Sequence, residues 1–313
     1  MGSVKNLKII ENAGEGFGIG VFEFTDDYSI FDYGKMPDVI PNKGECLCRM
    51  ASWNFKKISK KGVKTHFRRF IPDNKMEVNL VRVLYPGKDV ITRETSNYLI
   101  PLEIIFRNSL PSGSSIFRLL ESGKIKLRDI GLDHMPVPGE KLDNPIIDLT
   151  TKLEASDRHV NWEEAKHLAG LDDELVEGIK ELTLDVNDFL TRSAEEIGLE
   201  HADGKIELAL DPDRNLMLVD VFGTLDENRF LIDGFHISKQ ILRDYYRKTK
   251  WFDEFEWAKK ELLRSRWPEP QKLPKELINS VSDMYKAVCE MWIGEKIWNI
   301  NMEKTLDMIN EFL

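Results

Sequence analysis

Between His201 and Phe230 the chain reads HADGKIELALDPDRNLMLVDVFGTLDENRF, with Asp203, Lys205 and Glu207 two apart, Asp220 closing an apolar run, and Asp226 and Arg229 soon after. Residues two apart share one face of a strand, so the first three form a row of carboxylate, ammonium and carboxylate. A solvated strand face would carry such a row at little energetic consequence, about 0–1 kcal/mol for an exposed pair. Asp220 is harder to set aside, because LMLVD is apolar up to it and a carboxylate ending a buried strand is costly without a partner. Glu207 from one strand and Asp220 from the next supply the one or two carboxylates that magnesium takes alongside phosphate oxygens. Asp226 and Arg229 are expected on a loop after the second strand, where site residues collect, and Arg229 offers a planar fork for phosphate or carboxylate. Arg107 offers another in FRNSLPSGSS, followed by a Ser/Gly loop that can hold an anion or simply turn the chain. Lys152, in the polar connection TTKLEASDRHV, suits a site and solvent equally.

The stretch GEGFGIGVF invites a nucleotide reading. Gly14, Gly16, Gly18 and Gly20 alternate strictly, so neither a G-x-G-x-x-G register nor the Gly-Lys-Ser/Thr of a P-loop exists. Alternation predicts a strand face bare of side chains, open to a flat ligand or to tight packing against another strand, and packing is the simpler reading. Cys46, Cys48 and Cys289 are too few and wrongly spaced for a structural zinc site or a disulfide framework, and buried free thiols are expected. No Ser/His/Asp or Cys/His arrangement stands out.

These residues need a frame. The chain has 313 residues, 42% hydrophobic and 31% charged, enough for one large domain or two intimate ones with a full core. Its net charge of -10 argues against a dedicated nucleic-acid binder, whose phosphate contacts rest on clustered Lys and Arg. No apolar run approaches the roughly 20 residues that span a bilayer, and MGSVKNLKII lacks a signal peptide's apolar core. A cytoplasmic protein with neither nucleic acid nor membrane as partner is therefore expected. LKIIENAGEG, GIGVFEF, YSIFDYG, MEVNLVRVLYP and NYLIPLEIIFRN read as strands, with a helix in GECLCRMASWNFKKISKKG where Leu47, Met50, Ala51, Phe55 and Ile58 recur at helical spacing. From Pro145 the pattern changes, and NWEEAKHLAGLDDELVEGIKELTLDVNDFLTRSAEEIGL carries the periodicity of one or two helices; the charged hairpin follows, then a helical tail with SKQILRDYYRK and VSDMYKAVCEMWIGEKIW. Strands, helices, a hairpin and helices again predict an α+β fold.

Taken in order, TDDYSIFD with IPNKG, IPLEIIFRN with SGS, TTKLEASDR, ELTLDVNDFL, and DGKIEL with LVD and TLDENRF resemble the SAICAR synthetase family. Those are purine-biosynthesis ligases that use ATP to join aspartate to carboxyaminoimidazole ribonucleotide (CAIR). The resemblance covers most of the chain. It implies an N-terminal antiparallel nucleotide-covering lobe over residues 1–108 with a kinase- or ATP-grasp-like hinge and a larger α+β substrate and metal lobe over 109–265; the helical extension over 266–313 has no clear counterpart in the family and is open to a homodimer interface. It implies ATP and Mg2+ as cofactors and CAIR, L-aspartate and ATP as small-molecule partners. Carried over residue by residue, Glu207 and Asp220 look like metal ligands, and Lys205, Asp203 and Lys152 like catalytic groups of the substrate pocket. Arg107, Ser114, Arg229, Asp32 and Asp226 look substrate-binding; Gly16, Gly18, Glu103 and Glu207 look nucleotide-binding, Glu103 at the adenine hinge. The chain also departs from the family. The family's Gly-Lys-x-Lys/Arg segment, whose lysines reach ATP phosphates, has no counterpart in GEGFGIGVF, which leaves Lys35 and Lys43 as local candidates. The usual Asp-Glu pair reads Asp220-Val221, and the longer RNSLPSGSS loop leaves Ser112 and Ser114 as alternatives. These departures leave open an amide ligase of the same fold on another substrate, or a nucleotide-binding protein without catalysis.

Overall fold

The computed structural model describes residues 4–31, 33–111, 113–154 and 157–313. The chain opens with β1 (Lys5–Glu11), β2 (Gly18–Phe24), β3 (Asp27–Ile30), β4 (Gly34–Val39), α1 (Lys43–Ser59), β5 (Phe67–Ile71) and β6 (Lys75–Leu80). A four-stranded antiparallel sheet in the order β1-β2-β6-β5 packs on α1, whose Leu47, Met50, Ala51, Phe55 and Ile58 are buried at the predicted helical spacing. Along GIGVFEF buried and half-buried residues alternate, as a strand with one covered face requires.

The second half is built on β7 (Tyr98–Leu99), β8 (Leu102–Leu110), α2 (Ser115–Glu121), β9 (Glu140–Thr151), β10 (His159–Val160), α3 (Trp162–Ala169) and α4 (Asp173–Glu195). Next come β11 (Glu200–Leu210), β12 (Leu216–Val219), β13 (Asn228–Ile232), β14 (Phe235–His236), α5 (Gln240–Arg247), α6 (Lys250–Glu261), α7 (Lys275–Ile293) and α8 (Met302–Asn310). An eight-stranded sheet runs β10-β9-β8-β11-β13-β14, with β12 and β7 pairing the far end of β11. The α+β expectation holds. One continuous core reaches from Phe22 to Ile309, and α7 packs within the chain on α1.

Three sequence expectations are corrected here. The strand pattern does not change at Pro145, which lies inside β9 where the β8 register jumps between Arg107 and Ser109, while the one or two helices expected in NWEEAKHLAGLDDELVEGIKELTLDVNDFLTRSAEEIGL are α3 and α4. A bulge is where a strand tolerates proline, and Asn-Pro otherwise reads as a turn. Arg229 is not on a loop but on β13. The four glycines do not share one bare strand face. Gly14 and Gly16 lie in the β1–β2 turn, their carbonyls accepting from the Asn97 amide at 2.8 and 2.5 Å, and only Gly18 and Gly20 lie on the strand. A Cβ at Gly18 would sit 2.4 Å from the Glu11 carbonyl oxygen, so close packing within the hairpin requires that glycine. Cys46, Cys48 and Cys289 are buried free thiols, as expected.

Candidate active site

β11 changes neighbours halfway along. Residues 203–206 pair with β8, while Glu207 to Leu210 pair with β12. The turn after β12 fills the opening on the other edge, where the Lys205 amide donates to the Glu227 carbonyl at 3.2 Å. Asp203, Lys205 and Glu207 do share a face, but it is a covered one: Asp203 and Glu207 are buried.

At the lower end of this face Arg107 and Arg229 are the cross-strand partners of Asp203. Arg229 Nη1 donates to Asp203 Oδ2 at 2.8 Å and Arg107 Nη1 reaches the same oxygen at 3.5 Å. The rest of the Arg107 fork goes to Asp148 Oδ2 at 3.0 and 3.3 Å, Ser114 Oγ at 3.3 Å and Ser115 Oγ at 3.0 Å. Asp148 went unnoticed because it sits on β9, the strand disguised by Asn144-Pro145. Above this cluster lies a cavity of about 400 Å³ that Asp226, Lys239 and Arg243 also line. Lys239 and Arg243 are not among the residues expected at the site; their signal in the sequence is Lys239, Arg243 and Arg247 at four-residue spacing, which stacks three cations on one helix face. Among the described residues Lys239 has no carboxylate at ion-pair distance, and burial, with Arg243 close by, brings its ammonium down to about 8 despite Asp226.

At the upper end three carboxylates alternate with three ammoniums. Lys205 Nζ donates to Glu103 Oε1 at 2.6 Å; Lys152 Nζ lies 3.7 Å from that oxygen and 2.5 Å from Glu207 Oε1; Lys5 Nζ pairs with Asp220. Burial, reinforced by the Asp220 charge, pushes Glu207 up to about 7. Burial would raise Asp220 as well, but Lys5 and Lys152 outweigh it and hold that carboxyl well below the usual range. Asp220 has φ 62, a left-handed conformation uncommon for a residue with a side chain, and His66 Nε2 donates to its carbonyl at 3.1 Å. Backbone strain at a charged residue is a recurrent feature of functional sites.

The structure brings Lys205, Asp203, Lys152, Arg107, Ser114, Arg229, Glu103, Glu207 and Asp220 onto one continuous wall, with Asp226 beside the cavity. Asp32 and Ser112 lie outside the described residues. Glu103, expected at the adenine hinge, lies within β8, paired with Thr150, its carboxylate engaged by Lys205 and Lys152. The two local candidates for the missing lysines are both engaged elsewhere. Lys35 pairs with Asp27 at the surface, and Lys43 is fully buried against Asp226 at 2.7 Å. The lysine that reaches the wall is Lys5, on β1, one hairpin strand before the stretch where it was sought.

Among the described residues no three His, Cys, Asp or Glu side chains gather in metal-ligand fashion. The Glu207–Asp220 pair, already neutralised by lysines, fits a hard divalent cation that takes its remaining ligands from phosphate. No helix among the described residues is long and apolar enough to cross a membrane.

A family model described as SAICAR synthetase matches residues 11–257. The chain is 42% identical to a curated relative from Archaeoglobus fulgidus over 100% of both chains. It is 38% identical to the phosphoribosylaminoimidazole-succinocarboxamide synthase of Thermoplasma acidophilum, over 88% of this chain and 93% of that one. Its fold matches a solved SAICAR synthetase (type 2) in complex with ADP, with a TM-score of 0.67 and 22% identity over 95% of this chain and 98% of the other.

Proposed function

The chain belongs to the SAICAR synthetase family, and from that premise we propose how its own residues divide the work of an ATP-dependent ligase that joins aspartate to CAIR, giving SAICAR, ADP and phosphate. One observation carries the assignment: Glu207 on β11 and Asp220 just past the end of β12, each held by a lysine, adjoin a cation-lined cavity along the same β11 face.

The phosphates of ATP belong at the upper end. Lys5 and Lys152 are placed to pass from carboxylate to phosphate oxygens, and Glu207 and Asp220 would hold Mg2+. Bound there, the ion supplies neutralisation of charge on the transferred phosphoryl group. Met217, Val219 and Ala209, packed with Val81 and Leu99, form a separate apolar cluster suited to the adenine ring. CAIR and aspartate, both anionic, belong in the cavity, where Arg107, backed by Ser114, and Arg229 orient them and Lys239 and Arg243 add charge. A CAIR carboxylate oxygen takes the γ-phosphoryl group from ATP, releasing ADP. The aspartate amine then attacks the acyl carbon, loses a proton and expels inorganic phosphate, leaving an amide. Asp203, clamped by Arg107 and Arg229, and Lys205, held by Glu103, set the floor on which these groups meet.

The test is phosphate release with ATP, magnesium, CAIR and aspartate, each omitted in turn. Release that needs all four components, and that Glu207→Ala and Asp220→Ala abolish, supports the reading. Release independent of CAIR would transfer the chemistry to another substrate.

A further inference from the structure

We propose that Tyr285, on α7 and outside the span matched by the family model, is a positioning residue of the ligase site that acts through Asp226. Three side chains from distant parts of the chain meet in a closed triangle. Lys43 Nζ lies 2.7 Å from Asp226 Oδ2, Tyr285 Oη donates to Asp226 Oδ1 at 2.8 Å, and Lys43 Nζ stands 5.8 Å from the centre of the Tyr285 ring. Lys43 and Tyr285 are both fully buried, so neither can reach solvent or substrate. Asp226 alone of the three borders the cavity.

A hydroxyl in a dry core needs a partner, and Asp226 is the one hydrogen-bond partner of Tyr285 Oη among the described residues. Packing α7 on α1 calls only for the ring. The hydroxyl, 2.8 Å from one carboxylate oxygen while Lys43 holds the other, fixes the plane of the carboxylate and keeps it charged. Burial alone would raise Asp226, but Lys43, Lys239 and the Tyr285 hydroxyl bring it down to about 2. A fixed anion within electrostatic reach of Lys239 and Arg243 then aligns those cations toward the anionic substrates.

This inference rests on the ligase reading, and its test separates the two. Wild type, Tyr285→Phe, Asp226→Asn and the double variant are compared in steady-state ligation, with ADP binding as the check on folding. Tyr285→Phe is expected to lower kcat/KM for the cavity substrates about tenfold, leave KM for ATP within about twofold, and move the acid limb of the profile to higher pH. In the Asp226→Asn background the same change should have almost no further effect. An undiminished loss in that background, or a Tyr285→Phe enzyme matching wild type at every pH, would overturn the proposal. If wild type does not ligate, the failure belongs to the ligase reading, and the same four proteins are compared by calorimetric titration with CAIR, where the same non-additivity is expected.

Discussion

Lys5 sits opposite a strained aspartate at one end of the β11 face and Lys239 lies open to the cavity at the other, and each makes a separate prediction. Replacing Lys5 by Met leaves Asp220 without its nearest cation and removes a contact for phosphate. KM for ATP should rise about tenfold or more while the fold persists by circular dichroism, since a charged contact of this kind contributes about 1.5–3 kcal/mol. For Lys239 the sign follows from burial, which favours the neutral amine and brings the ammonium down to about 8. Below that pH the cation is present; above it the charge is lost, and with it anion affinity. KM for the cavity substrate should therefore climb between pH 8 and 9.5, and Lys239→Arg, which stays charged, should flatten the climb. The charged groups Asp203, Lys205, Glu207, Asp220, Arg107 and Arg229 were legible in the sequence because unpaired charges beside apolar runs demand an explanation. Lys5 and Tyr285 were not, because their partners are 215 and 59 residues away.

At the scale of elements, the turn after β12 carries both Asp220 and Asp226 and is held from behind. Trp292 Nε1 on α7 donates to Asn54 Oδ1 on α1 at 2.7 Å, and the Asn54 amide donates to the Phe222 and Gly223 carbonyls at 3.1 and 3.2 Å. Gly223 has φ 71, and a Cβ there would stand 2.4 Å from both Asn54 Nδ2 and Leu190 Cδ2. Gly223→Ala is therefore expected to cost about 2–4 kcal/mol in denaturant unfolding and to reduce ligation in the surviving folded fraction. A surface glycine of the same type would lose far less. The strands and α1 could be read from alternation and helical spacing, whereas β9 hid behind a proline at its bulge and the charged hairpin extended into a third strand, β13. Period and composition report which face is covered, but not which non-local strand covers it.

For the whole molecule, His201 gives a measure of acid tolerance. It is buried beside Phe106 and Phe230, its Nε2 donating to Asn228 Oδ1 at 3.0 Å and its Nδ1 accepting from Thr191 Oγ1 at 2.9 Å, a network that suits the neutral ring. Burial lowers it to about 4 from its ordinary 6.5. The unfolded chain therefore binds the extra proton first, and stability should fall as pH drops from 6.5 through 4, by roughly 3 kcal/mol from this group. His201→Gln should remove part of that slope in thermal melts taken across the range. At this scale the helical tail is not an appendage: α7 fills the core against α1, and its Tyr285 and Trp292 reach the β12 turn directly and through Asn54. Proteins leave the ribosome N-terminus first, so Glu207, Asp220 and Arg229 are all synthesised before α7 exists. A nascent chain thus holds nearly every residue of the site while the turn that aims two of them still lacks its backing. Ligation is therefore expected only from chains that extend through α7.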